Sequence, residues 1–305
     1  MMKTYSGMNR GSQPKIALIN DFCGFGRCSL TVSIPIVSAM GIQACPVPTA
    51  VFSNHTAYDS FYRHDMTSSL DSYIGEWEKL GLSFPAILAG YLSTPRQIDI
   101  TTDFVSRFLA PEGIFILDPV MGDNGRLYSS YGPEMLLHMK RLTGLCDVLT
   151  PNLTEACFLT DSTYEDVRRL KGAALTGRLY DMAAGLSAGM RGGNGRVVIS
   201  GIESEHYIGN CVFEPGLQRL LKTKKSGVSR CGTGDIFSAI ISASLLRGST
   251  LTEATALASR FIKSCIAASD SYNVPLTDGV AFEAVLGMLM PQAGSVTPTP
   301  HRKNI

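Results

Sequence analysis

The pentapeptide Cys231-Gly232-Thr233-Gly234-Asp235 stands immediately before an apolar run that begins Ile236-Phe237-Ser238-Ala239. Two glycines one residue apart let the backbone fold so that several N–H groups converge on one point. At the start of a helix such a nest attracts anions, phosphate above all. Charge growing on the oxygens of a phosphoryl group in transit would be stabilised there. Asp235 stands beside that point, where a carboxylate can take the proton of a substrate hydroxyl. An ordinary Gly-Asp helix start would use the same residues, so the turn alone does not decide its role.

A second set of polar residues gathers at the ends of apolar runs: Asn20-Asp21, Asp118, Asp123, Thr150, Asn152 and Glu155. Any one of them could cap a following helix. As a set they fall where ligands sit in open α/β sheets, beyond the carboxyl ends of the strands. Gly24-Phe25-Gly26 is a partial G-x-G-x-x-G, with Ser29 in the place of the third glycine. A nicotinamide-dinucleotide reading rests on that fragment alone, and no G-x-x-x-x-G-K-[ST] occurs.

These residues need elements to hold them. Near-continuous apolar runs at Lys15–Asn20, Ala86–Tyr91, Ile114–Asp118, Cys146–Thr150 and Arg196–Ser200 read as buried parallel strands. Helical periodicity marks Ser29–Met40, Met66–Leu80, Thr94–Leu109, Pro133–Leu142 and Thr176–Ser187 between them. The alternation predicts a doubly wound α/β fold with a mostly parallel central sheet flanked by helices. His206–Phe213 and Leu217–Thr223 read as an antiparallel pair around a Pro-Gly turn, with helices expected after Gly232, over Leu251–Ser269 and over Ala281–Leu289. Residues 15–290 are expected to form one domain between a flexible N-terminus, 1–14, and a flexible tail, 291–305. The polar, glycine-containing stretch Asn124–Tyr131 is a candidate lid.

Composition excludes other classes. Of 305 residues, 45% are hydrophobic, too many for a disordered chain. The 27 Lys and Arg against 26 Asp and Glu leave a net charge of +1, without the basic excess of a nucleic-acid or membrane-surface protein. No stretch approaches the roughly 20 apolar residues of a bilayer span, and residues 1–14 lack the apolar core of a signal peptide. Eight cysteines without a C-x-x-C pair read as free thiols in a cytoplasmic protein. Cys231 is the exception in position. It reads first as another packed free thiol; alternatively a thiolate there, favoured by the helix N-terminus, could form a reversible adduct with an aldehyde.

Four stretches, in this order, narrow the choice: Phe52-Ser53-Asn54-His55-Thr56, Asp118-Pro119-Val120-Met121-Gly122-Asp123, Thr150-Pro151-Asn152-Leu153-Thr154-Glu155-Ala156 and Gly232-Thr233-Gly234-Asp235. Over about Lys15 to Leu289 the chain resembles the pyridoxal kinases of the ribokinase superfamily. The resemblance implies a three-layer ribokinase-like sandwich and ATP-dependent phosphorylation of the 5′-hydroxymethyl group of a B6 vitamer. It implies Asp235 as base and Gly232, Thr233 and Gly234 as anion hole. Asn20, His55, Thr56 and Cys231 would meet the vitamer. Asp118, Asp123, Asn152, Ser200 and Gly201 would meet ATP. Asp118, Thr150 and Glu155 would lie by Mg²⁺, with K⁺ or Na⁺ close to Asp118. A homodimer is expected on the same ground.

Asn20-Asp21 departs from the family pattern, since many members carry Ser-His there. The choice among pyridoxal, pyridoxamine and pyridoxine therefore stays open. So do a hydroxymethylpyrimidine kinase and a non-catalytic vitamer-binding protein.

Overall fold

The structure, a computed structural model, describes residues 13–129 and 131–291. The expectations of flexible ends concern residues that lie almost wholly outside that range. Eleven strands and nine helices succeed one another among the described residues. In chain order these begin with β1 (Lys15–Phe25), α1 (Ser29–Ala39), β2 (Gln43–Asn54), β3 (Arg63–Asp65), α2 (Thr67–Lys79), β4 (Phe84–Ala89), α3 (Pro95–Phe108) and β5 (Leu109–Leu117). A small hairpin, β6 (Gly122–Asp123) and β7 (Arg126–Leu127), precedes α4 (Pro133–Thr143), β8 (Val148–Leu149), α5 (Leu153–Leu159), α6 (Tyr164–Arg169) and α7 (Gly172–Gly189). The chain closes with β9 (Arg196–Glu203), β10 (Tyr207–Glu214), β11 (Leu217–Lys224), α8 (Thr233–Leu246) and α9 (Leu251–Ser271).

Nine strands form one sheet in the order β11-β10-β9-β8-β5-β4-β1-β2-β3. From β9 through β2 all neighbours are parallel, whereas β3, β10 and β11 run antiparallel at the two edges. Strand alternation divides the core. Ile16, Leu18, Ala86, Leu88, Ile114 and Ile116 face α1, α8 and α9. Ala17, Ile19, Ile87, Ala89, Phe115 and Leu117 face the opposite layer, α2 to α7. Burial on both faces is why these strands read as continuous apolar runs. The result is the three-layer sandwich expected from the sequence.

β2 escapes the periodicity reading, because Pro46 and Pro48 argue against a strand. Its first half pairs only with β1, and β3 joins it on the other side from Ala50 to Phe52. The prolines therefore cost no ladder hydrogen bond on the open side. The 281–289 stretch is a 3-10 segment, Phe282–Leu289, where an ordinary helix was expected. The candidate lid contains β7 and a turn at Asn124 and Gly125, both with positive φ. The Gly125 amide donates to Thr154 Oγ1 at 2.9 Å, so the hairpin is tied to α5.

α8 is buried along eleven successive residues, Ile236 to Leu246. Two of its serines remain compatible with that burial by bonding back along the helix, whereas the Ser244 hydroxyl is buried without a partner among the described residues. Ser238 Oγ donates to Gly234 O at 3.1 Å and Ser242 Oγ to Ser238 O at 2.7 Å. No helix among the described residues is long and apolar enough to cross a membrane.

Candidate active site

β1 sits between β4 and β2; the chain steps from β1 to β2 in one direction across the sheet and from β4 to β5 in the other. That is a topological switch point, where a crevice opens beyond the carboxyl ends of the strands. Asn20 lies midway along β1 at this crevice, with only 8% of its surface exposed. Its Oδ1 accepts the amides of Asp21 at 3.0 Å and Tyr91 at 2.8 Å. With the oxygen so fixed, Nδ2 points the other way and donates to Asp235 Oδ1 at 3.1 Å. Gly90 makes room for this arrangement, since a Cβ there would come within 2.7 to 2.9 Å of three Asn20 side-chain atoms.

Asp235 stands in the first turn of α8, whose N-cap is Gly232. Gly232 has φ +82, and a Cβ at this position would lie 1.9 Å from Arg27 O. No other residue fits. Gly234, by contrast, has no neighbour within 4 Å of a would-be Cβ and faces open space. The first amides of a helix have no intrahelical acceptor, so those of Thr233 and Gly234 point to where an anion would rest. Burial raises the Asp235 carboxyl above the usual range, opposed by bonds from the Ser29 amide, the Asn20 side chain and its own amide.

The acids after β5 and β8 form a chain of charges leading to Asp235. Asp118 is pushed up to about 8, chiefly by burial and then by the negative charge of Asp235, with the Ser238 hydroxyl opposing. Glu155 is also raised, by burial and by Asp118, against hydrogen bonds from the Asn152, Met121 and Gly122 amides. Asn152 and Glu155 form a complete capping box on α5. Glu155 Oε1 accepts the Met121 amide at 3.1 Å and Oε2 the Asn152 amide at 2.8 Å. Helix capping therefore describes these two residues correctly, and it also brings the Asp118–Asp123 loop to them. Asn152 Nδ2 donates to Gly122 O at 2.8 Å.

No group of three or more His, Cys, Asp or Glu able to hold a metal directly occurs among the described residues. The donor chemistry still fits a hydrated Mg²⁺. Asp118 and Glu155 are buried carboxyls that repel each other, and a cation would relieve that repulsion. Mg²⁺ commonly takes one or two carboxylates and keeps several waters. Thr150 is buried beside them, its hydroxyl 3.4 Å from Leu117 O.

Asp123 is exposed on the hairpin, where its carboxylate accepts the main-chain and side-chain amides of Asn124. Ser200 pairs with Asn152 across the strand ends. Gly201 adopts φ +67 inside β9 and faces open space, its amide 3.3 Å from Asn210 Oδ1.

The Phe52–Thr56 stretch ends β2 and starts the loop to β3. The His55 amide donates to Phe25 O at 2.9 Å, and His55 Nδ1 accepts the Ala57 amide at 3.1 Å. Burial lowers the His55 pKa, which keeps the ring neutral with Nε2–H available as donor. Thr56 is exposed at the tip. Tyr58 Oη donates to Asp278 Oδ1 at 2.5 Å, joining this loop to residues 276–278. Cys231 reaches the same segment, its Sγ 3.5 Å from Thr277 O. Burial raises its thiol pKa, with the Asp235 charge adding to the effect. That favours the packing reading of Cys231 over the thiolate alternative, since burial beside an acid opposes the helix N-terminus.

Several site residues carry no sequence signal of their own. Gly90, Tyr91 and Ser238 belong to no motif, Ser29 was read only as the misfit in a partial glycine motif, and the fold brings all four to the site. Gly90, ending the apolar run AILAGY, is the one that a close-approach argument could have flagged.

The sheet order, the two helix layers and this site define a ribokinase-like phosphotransferase with an alcohol group as acceptor. The model of the family described as phosphomethylpyrimidine kinase matches residues 34–281. The chain belongs to that family. A crystal structure of a candidate phosphomethylpyrimidine kinase from Bacteroides thetaiotaomicron is 38% identical, covers 93% of this chain and 97% of its own, and superposes with a TM-score of 0.85. A second crystal form of it, with pyridoxal, is 37% identical, covers 93% and 99%, and gives 0.83. Pyridoxal kinase from Lactobacillus plantarum is 26% identical over 91% of this chain and 97% of its own, with a TM-score of 0.82. Among curated relatives, the pyridoxine/pyridoxal/pyridoxamine kinase of Bordetella avium is 28% identical over 253 residues, 80% of this chain and 81% of its own.

Proposed function

We propose that the protein phosphorylates the 5′-hydroxymethyl group of a B6 vitamer with ATP. The observation that carries this reading is Asp235, held by Asn20 across the sheet's switch point and placed beside the Gly232 turn. The substrate hydroxyl oxygen attacks the γ-phosphorus, its proton passes to Asp235, and the bond from the γ-phosphorus to ADP breaks. Such transfer depends mainly on positioning and charge stabilisation, which the Thr233 and Gly234 amides supply. Mg²⁺, when bound, neutralises phosphate charge, and Asp118 and Glu155 would hold it through water with Thr150 alongside. A K⁺ or Na⁺ ion near Asp118 belongs to the same reading. Asn152, Ser200, Gly201 and Asp123 line the nucleotide side, while Asn20, His55, Thr56 and Cys231 line the vitamer side.

The curated relatives matched are pyridoxal kinases, which favours the vitamer over hydroxymethylpyrimidine. We read residues 15–290 as a single domain. Eight free cysteines support a reducing, cytoplasmic setting. Exposed Phe22, Phe25, Val51, Phe61 and Tyr62 on β1, β2 and the following loop support a homodimer through that apolar surface.

The test is coupled ATP consumption by purified protein with pyridoxal, pyridoxamine, pyridoxine and hydroxymethylpyrimidine, each with and without Mg²⁺ and K⁺. Turnover of a vitamer supports the reading. Turnover of hydroxymethylpyrimidine alone, or of nothing, overturns it.

A further inference from the structure

The N-cap of α8 is Gly232, which has no side chain with which to bond the first amides of the helix. A capping side chain would occupy those amides and hold the turn in shape. A turn that keeps them for a ligand has to be held from outside. The residue two places before Gly232 does this.

Arg230 is buried, with 6% of its side chain exposed. Its Nη1 donates to Val274 O at 2.6 Å and to Pro275 O at 3.0 Å, and its Nη2 to Asp270 Oδ1 at 3.0 Å. Asp270 stands in the last turn of α9, and Val274 and Pro275 follow that helix. Gly227 makes room for the carboxylate: its φ is +62, and a Cβ there would lie 2.2 Å from Asp270 Oδ2. The main chain of Arg230 acts on the turn itself, because its carbonyl accepts Thr233 Oγ1 at 3.1 Å. One residue thus joins the Gly232 turn, by its carbonyl, to the end of α9, by its guanidinium. The same segment supports the turn a second time. The Arg27 amide donates to Asp278 O at 3.1 Å, and Arg27 O is the atom against which Gly232 packs.

Stability alone accounts poorly for Arg230. Its Nε is buried without a partner among the described residues, and its ion-pair partner Asp270 is 45% exposed. Enclosing a charge on those terms gains little. What the planar fork supplies is direction, since three bonds to three acceptors fix the chain at residue 230. We propose that Arg230 is a positioning residue for the anion hole. By locking the approach to Gly232 onto residues 270–275, it sets the Thr233 and Gly234 amides where the phosphoryl oxygens need them during transfer. It acts through the turn and needs no contact with substrate.

The inference rests on the Gly232 turn being the anion hole, and the experiment separates the two claims. Values of kcat and vitamer KM are measured for the full-length protein, Arg230→Met, Arg230→Lys and Gly234→Ala, well below their melting temperatures. Arg230→Met removes all three bonds and keeps a long side chain. Its kcat should fall on the order of 100-fold, the cost of a displacement of about 1 Å at a reacting centre, with vitamer KM little changed. Arg230→Lys keeps a donor within reach of the carbonyls and should fall between the two. A merely structural role would lower the melting temperature and leave kcat of the folded protein as it was. Wild-type kcat in Arg230→Met, or kcat and vitamer affinity lost together, overturns the proposal. If Arg230→Met does not fold, Arg230→Lys carries the test. One ammonium cannot reproduce the fork, so wild-type kcat in that variant overturns the proposal instead. Wild-type kcat/KM in Gly234→Ala defeats the reading of the anion hole itself.

Discussion

Asn20 and Asp235 lie 215 residues apart in the chain and are joined by a hydrogen bond of 3.1 Å from Nδ2 to Oδ1. The bond ties the middle of β1 to the first turn of α8. It also favours the charged form of the carboxyl that is read as the base. Replacing Asn20 with Ala would remove this donor and leave the Tyr91 and Asp21 amides without their acceptor. Unmade buried hydrogen bonds cost about 1–3 kcal/mol. Asn20→Ala should therefore lower the denaturation midpoint. It should also move the acid limb of kcat/KM to higher pH, because Asp235 loses a bond that lowers its pKa. Gly90→Ala should reproduce part of this by pushing the Asn20 amide aside. Chemical denaturation and a pH–rate profile check both.

Asp235→Ala should reduce kcat on the order of 100- to 10,000-fold, the range for removal of a positioned general base. Vitamer affinity should change only a few-fold, because the carboxylate acts mainly in the transition state. Calorimetric binding alongside steady-state rates measures the two separately. Near-normal kcat would remove Asp235 from the scheme.

The two glycines of the turn should respond differently. Gly232→Ala meets Arg27 O and a positive φ, so it should lower both thermal stability and kcat. Loss of one donor in an oxyanion-type site costs about 100-fold or more in kcat. Gly234→Ala has open space for its methyl group, so its melting temperature should match the wild type. The same methyl stands where the anion would rest, and kcat/KM should fall. Equal behaviour of the two variants in both measurements would contradict the geometry.

Ligand-free protein should become less stable as pH rises from about 4 to 8. Asp118 ionises near 4 in an unfolded chain but only near 8 when folded. Between those values the native state holds the extra proton, so the unfolding free energy falls with rising pH. Asp21, held near 7, acts in the same direction. Asp118→Asn should flatten the slope of melting temperature against pH. Added Mg²⁺ should reduce the slope in the wild type, and no change on its addition would argue against a cation beside Asp118.

The core strands and most helices were legible because burial on both faces leaves continuous apolar runs, as in Ile114–Leu117. β2 was hidden by Pro46 and Pro48, which matter less on a strand with one open side. β8 is assigned over only Val148–Leu149, yet backbone bonds from Asp147 and Thr150 to β5 and from β9 to Asp147 and Pro151 carry the pairing along the whole apolar run. The Gly232–Asp235 turn was readable from residue type and spacing. The Asn20–Asp235 bond was not, since no local pattern encodes a contact over such a separation. The choice between packing and a thiolate at Cys231 was open in the sequence for a related reason. Its helix position is visible in sequence, whereas its burial beside Asp235 is a property of the fold.

The two outer strands of the sheet have a further consequence, for solubility. A sheet edge offers unpaired amides and carbonyls to any passing strand and invites aggregation. β3 offers only Arg63, His64 and Asp65, too short and too polar a template. β11 is eight residues long but carries Arg219, Lys222 and Lys224 along Leu217–Lys224. A second copy adding its own β11 there would bring like charges into register. Extension of the sheet from molecule to molecule is thereby discouraged at both ends, and self-association is left to side-chain surfaces.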